Sequence, residues 1–213
     1  MKELLDQLRT HRLVPVVAID SAGDAEAMAE ALAAGGLPVA EITFRTAAAE
    51  ESIRAIAKTG KVLVGAGTIL NVDTAKRAID AGAAFLVTPG FSAKIVEFCL
   101  SENVPIIPGT SNATDLQAAA EYELPAVKFF PAEAVGGLKM LKALAAPFLT
   151  MQFMPTGGIT TENLKSYLDF SPVIACGGSW MVGRELISAH QFAKITEITR
   201  SAVQIARQAA PAK

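Results

Sequence analysis

The sequence predicts an α/β fold, a (β/α)8 TIM barrel with an extra N-terminal helix, with residues 1–213 forming a single domain. Two observations carry that expectation. Eight short apolar runs start roughly every 20 to 26 residues, the length that one strand plus one helix requires. The runs are nearly continuous in apolar residues, as parallel strands covered by helices are, and amphipathic stretches separate them. An open doubly wound sheet is the alternative with this element order. Its dinucleotide fingerprint is missing, because Gly65-Ala66-Gly67-Thr68-Ile69-Leu70 has leucine where the third glycine belongs.

In chain order, Glu3 to His11 reads as a helix ahead of the first strand, Leu13 to Ile19. Asp24 to Leu32 is an alanine-rich helix stopped at Gly35-Gly36, and Val39 to Phe44 is strand two. Lys61 to Gly65 is strand three. Asn71 caps a helix with an acidic first turn, Val72-Asp73-Thr74-Ala75-Lys76, and Ala84 to Thr88 is strand four. Ser92 caps the helix running to Cys99, Pro105 to Pro108 is strand five, and Asn112 or Thr114 opens the helix ending at Glu121. Strand six is Ala126 to Phe130 and strand seven Met151 to Pro155. Thr160-Thr161-Glu162-Asn163 opens the helix before Tyr167, and Val173 to Cys176 is strand eight. A long helix from Gln191 to Ala209 closes the pattern, with Pro211 marking a frayed tail.

Composition narrows the function. With 51% hydrophobic and 19% charged residues, the 213-residue chain can bury a substantial core. A formal charge of -2 and a pI near 5.8 give no electrostatic grip on nucleic acid. The start, Met1-Lys2-Glu3-Leu4-Leu5-Asp6-Gln7-Leu8-Arg9, lacks a signal peptide's apolar core, and no apolar run reaches membrane-spanning length, so a cytoplasmic location with no membrane partner is expected. Cys99 and Cys176 lie far apart without a CxxC pair, and His11 and His190 are the only imidazoles, which suggests neither a disulfide framework nor a metal site. No cofactor is expected.

The chemistry-bearing residues collect where such a barrel keeps its active site, at the carboxyl ends of the strands. Lys128 sits in Ala126-Val127-Lys128-Phe129-Phe130-Pro131, an ammonium whose neighbours all favour burial. Burial disfavours a lysine's charged form and leaves the free amine that attacks carbonyls. A lysine that extends its charge to water from an edge strand is the bland alternative. Period-two alternation puts Glu41, Thr43 and Arg45 on one face, and Lys128 and Phe130 on another inward face, so Glu41 and Lys128 can meet in the barrel mouth. That pair also fits a buried structural ion pair. Gly67 and Thr68 follow strand three, Thr88 and Pro89 strand four, and Gly109, Thr110 and Ser111 strand five. Thr156, Gly157 and Gly158 follow strand seven, and Gly177, Gly178 and Ser179 strand eight. Loops at these last two ends commonly hold phosphate, so a phosphorylated small molecule is the expected substrate, although each glycine pair alone reads as an ordinary turn.

Taken together, these stretches resemble the 2-keto-3-deoxy-6-phosphogluconate (KDPG) and 4-hydroxy-2-oxoglutarate (KHG) aldolases along essentially the whole chain. The resemblance lies in Val14-Pro15-Val16-Val17, Ala40-Glu41-Ile42-Thr43-Phe44-Arg45-Thr46, Val64-Gly65-Ala66-Gly67-Thr68, Val87-Thr88-Pro89-Gly90 and Pro108-Gly109. It continues in Val127-Lys128-Phe129-Phe130-Pro131-Ala132-Glu133, Pro155-Thr156-Gly157-Gly158-Ile159 and Gly177-Gly178-Ser179-Trp180. It implies a metal-independent class I aldolase of the Entner-Doudoroff route that cleaves 2-dehydro-3-deoxy-6-phosphogluconate to pyruvate and D-glyceraldehyde 3-phosphate. Lys128 then matches the Schiff-base lysine and Glu41 the general acid/base, while Arg45 and Thr68 match the groups that hold the pyruvyl carboxylate. Pro89, Phe130 and Thr156 match the pocket lining, and Gly157, Gly158, Gly178 and Ser179 the phosphate site. Thr156 favours the gluco epimer, Thr110-Ser111-Asn112 falls in a segment that could tune specificity, and a homotrimer is the implied assembly. The alternatives are KHG aldolase activity on an unphosphorylated substrate, and a phosphosugar-binding barrel without catalysis.

Overall fold

The computed structural model describes residues 1–210, and the tail expected from Pro211 lies outside the described residues. It is an α/β fold with parallel strands curled around one hydrophobic core. The first half runs α1 (Lys2–His11), β1 (Leu13–Val17), α2 (Ala25–Ala34), β2 (Val39–Thr43), α3 (Ala49–Thr59), β3 (Leu63–Gly67), α4 (Val72–Asp80), β4 (Leu86–Val87) and α5 (Ala93–Ser101). The second half runs β5 (Ile106–Ile107), β6 (Gly109–Thr110), α6 (Ala113–Glu121), β7 (Ala126–Phe129), α7 (Gly137–Ala145), β8 (Gln152–Pro155), α8 (Leu164–Leu168), β9 (Cys176–Gly178), α9 (Arg184–Ser188) and α10 (Phe192–Arg207). One sheet has the order β5-β4-β3-β2-β1-β9 and the other β6-β7-β8, with isolated parallel bridges Phe153–Val173 and Thr156–Gly177 between the two.

Most strands are one to three residues shorter than the sequence reading, and three depart from it by being split or displaced. Strand five is split into β5 and β6 at Pro108, which has no N–H to give to a ladder, although its carbonyl accepts the Lys128 N–H at 2.8 Å. Strand three sits two residues later than expected, pairing Glu41 with Gly65 and Thr43 with Gly67. An even shift preserves which face each side chain takes. Strand eight moves from Val173 to Cys176 onto Cys176–Gly178, so Gly177 and Gly178 are strand residues paired with Val14 and Pro15. Glycine reads as a turn former in sequence, yet here its missing side chain permits close packing: a Cβ on Gly177 would lie 2.3 Å from Thr156 Oγ1.

The helix starts divide in the same way. Asn71 accepts the Thr74 N–H at 2.8 Å, and Asn112, not Thr114, caps α6 by accepting the Asp115 N–H at 3.0 Å. Ser92 makes no side-chain cap bond. The Thr160–Asn163 segment is a turn ahead of α8, in which Asn163 accepts the Thr160 N–H at 2.8 Å and donates to the Gly158 carbonyl at 2.9 Å. Both cysteines are buried, and desolvation pushes the Cys99 thiol up to about 11 and the Cys176 thiol higher still, so neither is poised as a thiolate. No helix of the described residues is long and apolar enough to cross a membrane.

Candidate active site

β2 and β7 bring the central pair together. Lys128 Nζ lies 3.3 Å from Glu41 Oε1, across 87 residues of sequence, with Lys128 5% and Glu41 0% exposed. Lys128 therefore does not extend its charge to water. Glu41 Oε2 is buried with no hydrogen-bond partner, a costly arrangement for a carboxylate and one that marks a group kept ready for something else to bond. The Phe130 ring centroid stands 5.1 Å from Lys128 Nζ. Thr110 donates to the Lys128 carbonyl at 3.1 Å and pins the strand that carries the amine.

Room for the carboxylate comes from Gly67 at the end of β3. A Cβ there would sit 2.0 Å from Glu41 Oε1 and 2.7 Å from its Cγ. Gly67→Ala is thus expected to displace Glu41 or the strand, costing about 1–3 kcal/mol as an overpacked core does. Thermal unfolding together with turnover checks this: the variant should melt lower and lose activity, and wild-type values for both would refute the steric argument.

At the mouth, Thr43 donates to the Val17 carbonyl at 2.7 Å, and its Oγ1 accepts Arg45 Nε at 3.0 Å, holding an exposed guanidinium over the strand ends. Arg45, Phe130, Thr156, Gly157, Gly158, Gly178 and Ser179 line one cavity of about 160 Å³. Gly157 and Gly158 have φ of 97° and 81°, left-handed values that side chains resist, and this turns the backbone after β8 toward the cavity. Thr68, at φ 58°, follows Gly67, while Pro89 is half-buried after β4 with its carbonyl packed against Gly109. Neither lines that cavity, nor do Lys128 and Glu41.

Several residues escaped the sequence reading. Val16 and Ile159 line the cavity as well, with Gly177 of β9, and a wider cleft of about 430 Å³ continues from Val16, Arg45 and Ser179 to Arg184, which pairs with Asp20. The segment Thr110-Ser111-Asn112 is engaged structurally: Thr110 holds Lys128, the Ser111 N–H meets Asp115 at 2.9 Å, and Asn112 caps α6. A cavity of about 550 Å³ at the amino end of β1 is lined by Arg9, Arg12 and Arg207, but Arg12 there spans the Leu168 and Ala210 carbonyls as a clamp. Among the described residues, no group of three His, Cys, Asp or Glu side chains is placed to hold a metal ion.

A family model described as KDPG and KHG aldolase matches residues 4–198. The chain belongs to the KDPG and KHG aldolase family. Within it, the 2-dehydro-3-deoxy-phosphogluconate aldolase of Treponema pallidum is 45% identical, covering 96% of this chain and 98% of that protein. The KDPG aldolase of Zymomonas mobilis, solved with 3-phosphoglycerate, superimposes with a TM-score of 0.91 at 36% identity, covering 100% of both chains. That of Legionella pneumophila, with pyruvate captured as a covalent carbinolamine, gives 0.90 at 35% identity and covers 93% of this chain and 97% of that one.

Proposed function

We propose that the chain is a class I aldolase cleaving 2-dehydro-3-deoxy-6-phosphogluconate to pyruvate and D-glyceraldehyde 3-phosphate. The observation that carries this reading is the buried contact between Lys128 Nζ and Glu41 Oε1 at the strand ends, beside a glycine-lined cavity. Lys128 passes a proton to Glu41 and its free amine adds to the C2 carbonyl; Glu41 returns that proton to the carbinolamine hydroxyl, which leaves as water to give an iminium. Glu41 accepts the proton of the C4 hydroxyl. The C3–C4 bond breaks, its electron pair moves into the iminium to form an enamine, and the aldehyde leaves. Protonation at C3 and addition of water return the lysine and release pyruvate. No metal or cofactor takes part in these steps.

Arg45, whose planar fork suits a carboxylate, and Thr68 hold the pyruvyl end in this reading, and Pro89, Phe130 and Thr156 line it. Gly157, Gly158, Gly178 and Ser179 take the phosphate through backbone amides. Relatives solved with a pyruvate carbinolamine and with 3-phosphoglycerate support the two halves of the site. The KHG part of the family description supports cleavage of 4-hydroxy-2-oxoglutarate by the same pair as a second activity. The same reading takes residues 1–213 as one closed (β/α)8 barrel with α1 as its extra helix, assembled as a homotrimer in the cytoplasm. The Phe153–Val173 and Thr156–Gly177 bridges, from β8 to the segment before β9 and from just past β8 to β9, support closure.

Borohydride reduction in the presence of pyruvate, followed by peptide mass mapping, tests the proposal directly. A reduced pyruvate adduct on Lys128 is the expected result. An adduct elsewhere, or none, would overturn the mechanism.

A further inference from the structure

A negative charge stands next to the cavity proposed to hold a phosphate, and its restraint is built into the fold. Glu133 lies beyond β7 in Pro131-Ala132-Glu133, and its N–H donates to the Gly157 carbonyl at 3.0 Å. The backbones of Glu133 and the glycine pair are therefore strapped together. Its stem runs alongside Gly158, where a Cβ would be only 2.6 Å from both Glu133 Cβ and Cγ. With the stem so placed, the remaining side-chain torsions decide whether the carboxylate faces the cavity or turns away.

It turns away. Glu133 Oε1 accepts a hydrogen bond from the Tyr167 hydroxyl, on a side chain 1% exposed on α8, and Glu133 does not line the cavity. Gly137 makes the space for that bond, since a Cβ there would approach Glu133 Oε1 to 3.1 Å and the Tyr167 hydroxyl to 3.3 Å. Burial, and then the bond to Glu133, hold the Tyr167 hydroxyl well above its ordinary pKa, so it stays a donor. Asn163 holds the glycine pair itself, through the Gly158 carbonyl at 2.9 Å. The tyrosine instead governs the neighbouring charge.

We infer that Tyr167 is a latch that keeps the Glu133 carboxylate out of the anion cavity, so that the phosphate of the substrate meets backbone amides and not a like charge. Tyr167 is a positioning residue in this scheme, acting through Glu133. The inference rests on the phosphate reading of Gly157, Gly158, Gly178 and Ser179.

Steady-state kinetics on the intact enzyme test it, with inorganic phosphate as a competing anion and the rate of pyruvate adduct trapping as a readout that involves no phosphate. Tyr167→Phe should raise KM for the phosphorylated substrate and Ki for phosphate about two- to fivefold, the range of a part-exposed charge interaction, and the defect should shrink as ionic strength rises. Its pyruvate trapping rate should equal that of wild type. Adding Glu133→Gln to Tyr167→Phe should restore both constants, because a neutral amide does not repel phosphate. Glu133→Asp, too short to reach the hydroxyl, should reproduce the Tyr167→Phe defect and serves should that variant fold poorly. Unchanged constants in Tyr167→Phe or Glu133→Asp, an equal loss of pyruvate trapping, or no recovery in the double variant would overturn the latch. If inorganic phosphate does not compete in the wild-type enzyme, the phosphate reading falls first and takes the latch with it. Competition in wild type without a Tyr167 effect removes the latch alone.

Discussion

Lys128→Ala is expected to abolish cleavage, by at least about a thousandfold in kcat/KM, and to eliminate the borohydride-trapped adduct. The loss is chemical, since no other amine lies against Glu41 within hydrogen-bond reach among the described residues. A second consequence follows from burial. Glu41 is fully buried and one of its oxygens has no partner even with the lysine present, so removing the ammonium leaves a desolvated carboxylate with nothing to offset it. Breaking one side of a buried pair costs about 3–5 kcal/mol, and the lower end applies beside a cavity that water can enter. Chemical denaturation should show that loss. Adding Glu41→Gln to the variant should recover much of it while leaving the enzyme inactive. A Lys128→Ala protein of wild-type stability would mean that the pair is far better solvated than its burial indicates.

Glu41→Gln separates binding from proton transfer. Glutamine keeps the volume above Gly67 and still accepts from Lys128 Nζ, so the fold and the lysine's position should persist. What is lost is the base for the C4 hydroxyl, and the expected fall in turnover is about a hundred- to ten-thousandfold. Adduct formation with pyruvate should still be detectable, although slower, because an amide cannot shuttle the carbinolamine proton. Single-turnover trapping compared with steady-state cleavage distinguishes the two steps. Equal and complete loss of both would reassign Glu41 to holding the lysine, and unchanged rates would remove it from the chemistry.

Much of this site was legible in the chain because strand periodicity is a local property. In Val39–Thr43 the two-residue repeat sends Glu41 and Thr43 to one side, and in Ala126–Phe129 it sets Lys128 on the face opposite Val127 and Phe129. Asn71 was readable as a cap for the same reason, since a cap acts within three residues, while the choice of Asn112 over Thr114 came from the structure. Strand limits were less legible at Gly177 and Gly178, where the local preference for a turn yields to pairing with β1, and at Pro108, which interrupts the expected strand. Thr110 falls in a segment that the sequence marks only as able to tune specificity, and the register of β6 and β7 sets its hydroxyl on the Lys128 carbonyl.

By itself, then, the sequence determined the alternation of strands and helices, the strand face that Glu41 shares with Thr43, the face of Lys128 opposite Val127 and Phe129, and the family, because these depend on spacing and residue type along the chain. Only the tertiary structure decided that Gly67 is the space Glu41 occupies, that a glycine-lined cavity forms between β8 and β9, and that Tyr167 holds Glu133 beside it. The physical reason is distance along the chain. Glu41 and Lys128 are 87 residues apart and Glu133 and Tyr167 are 34 apart, so whether each pair meets depends on the register and twist of intervening strands, which no local pattern encodes.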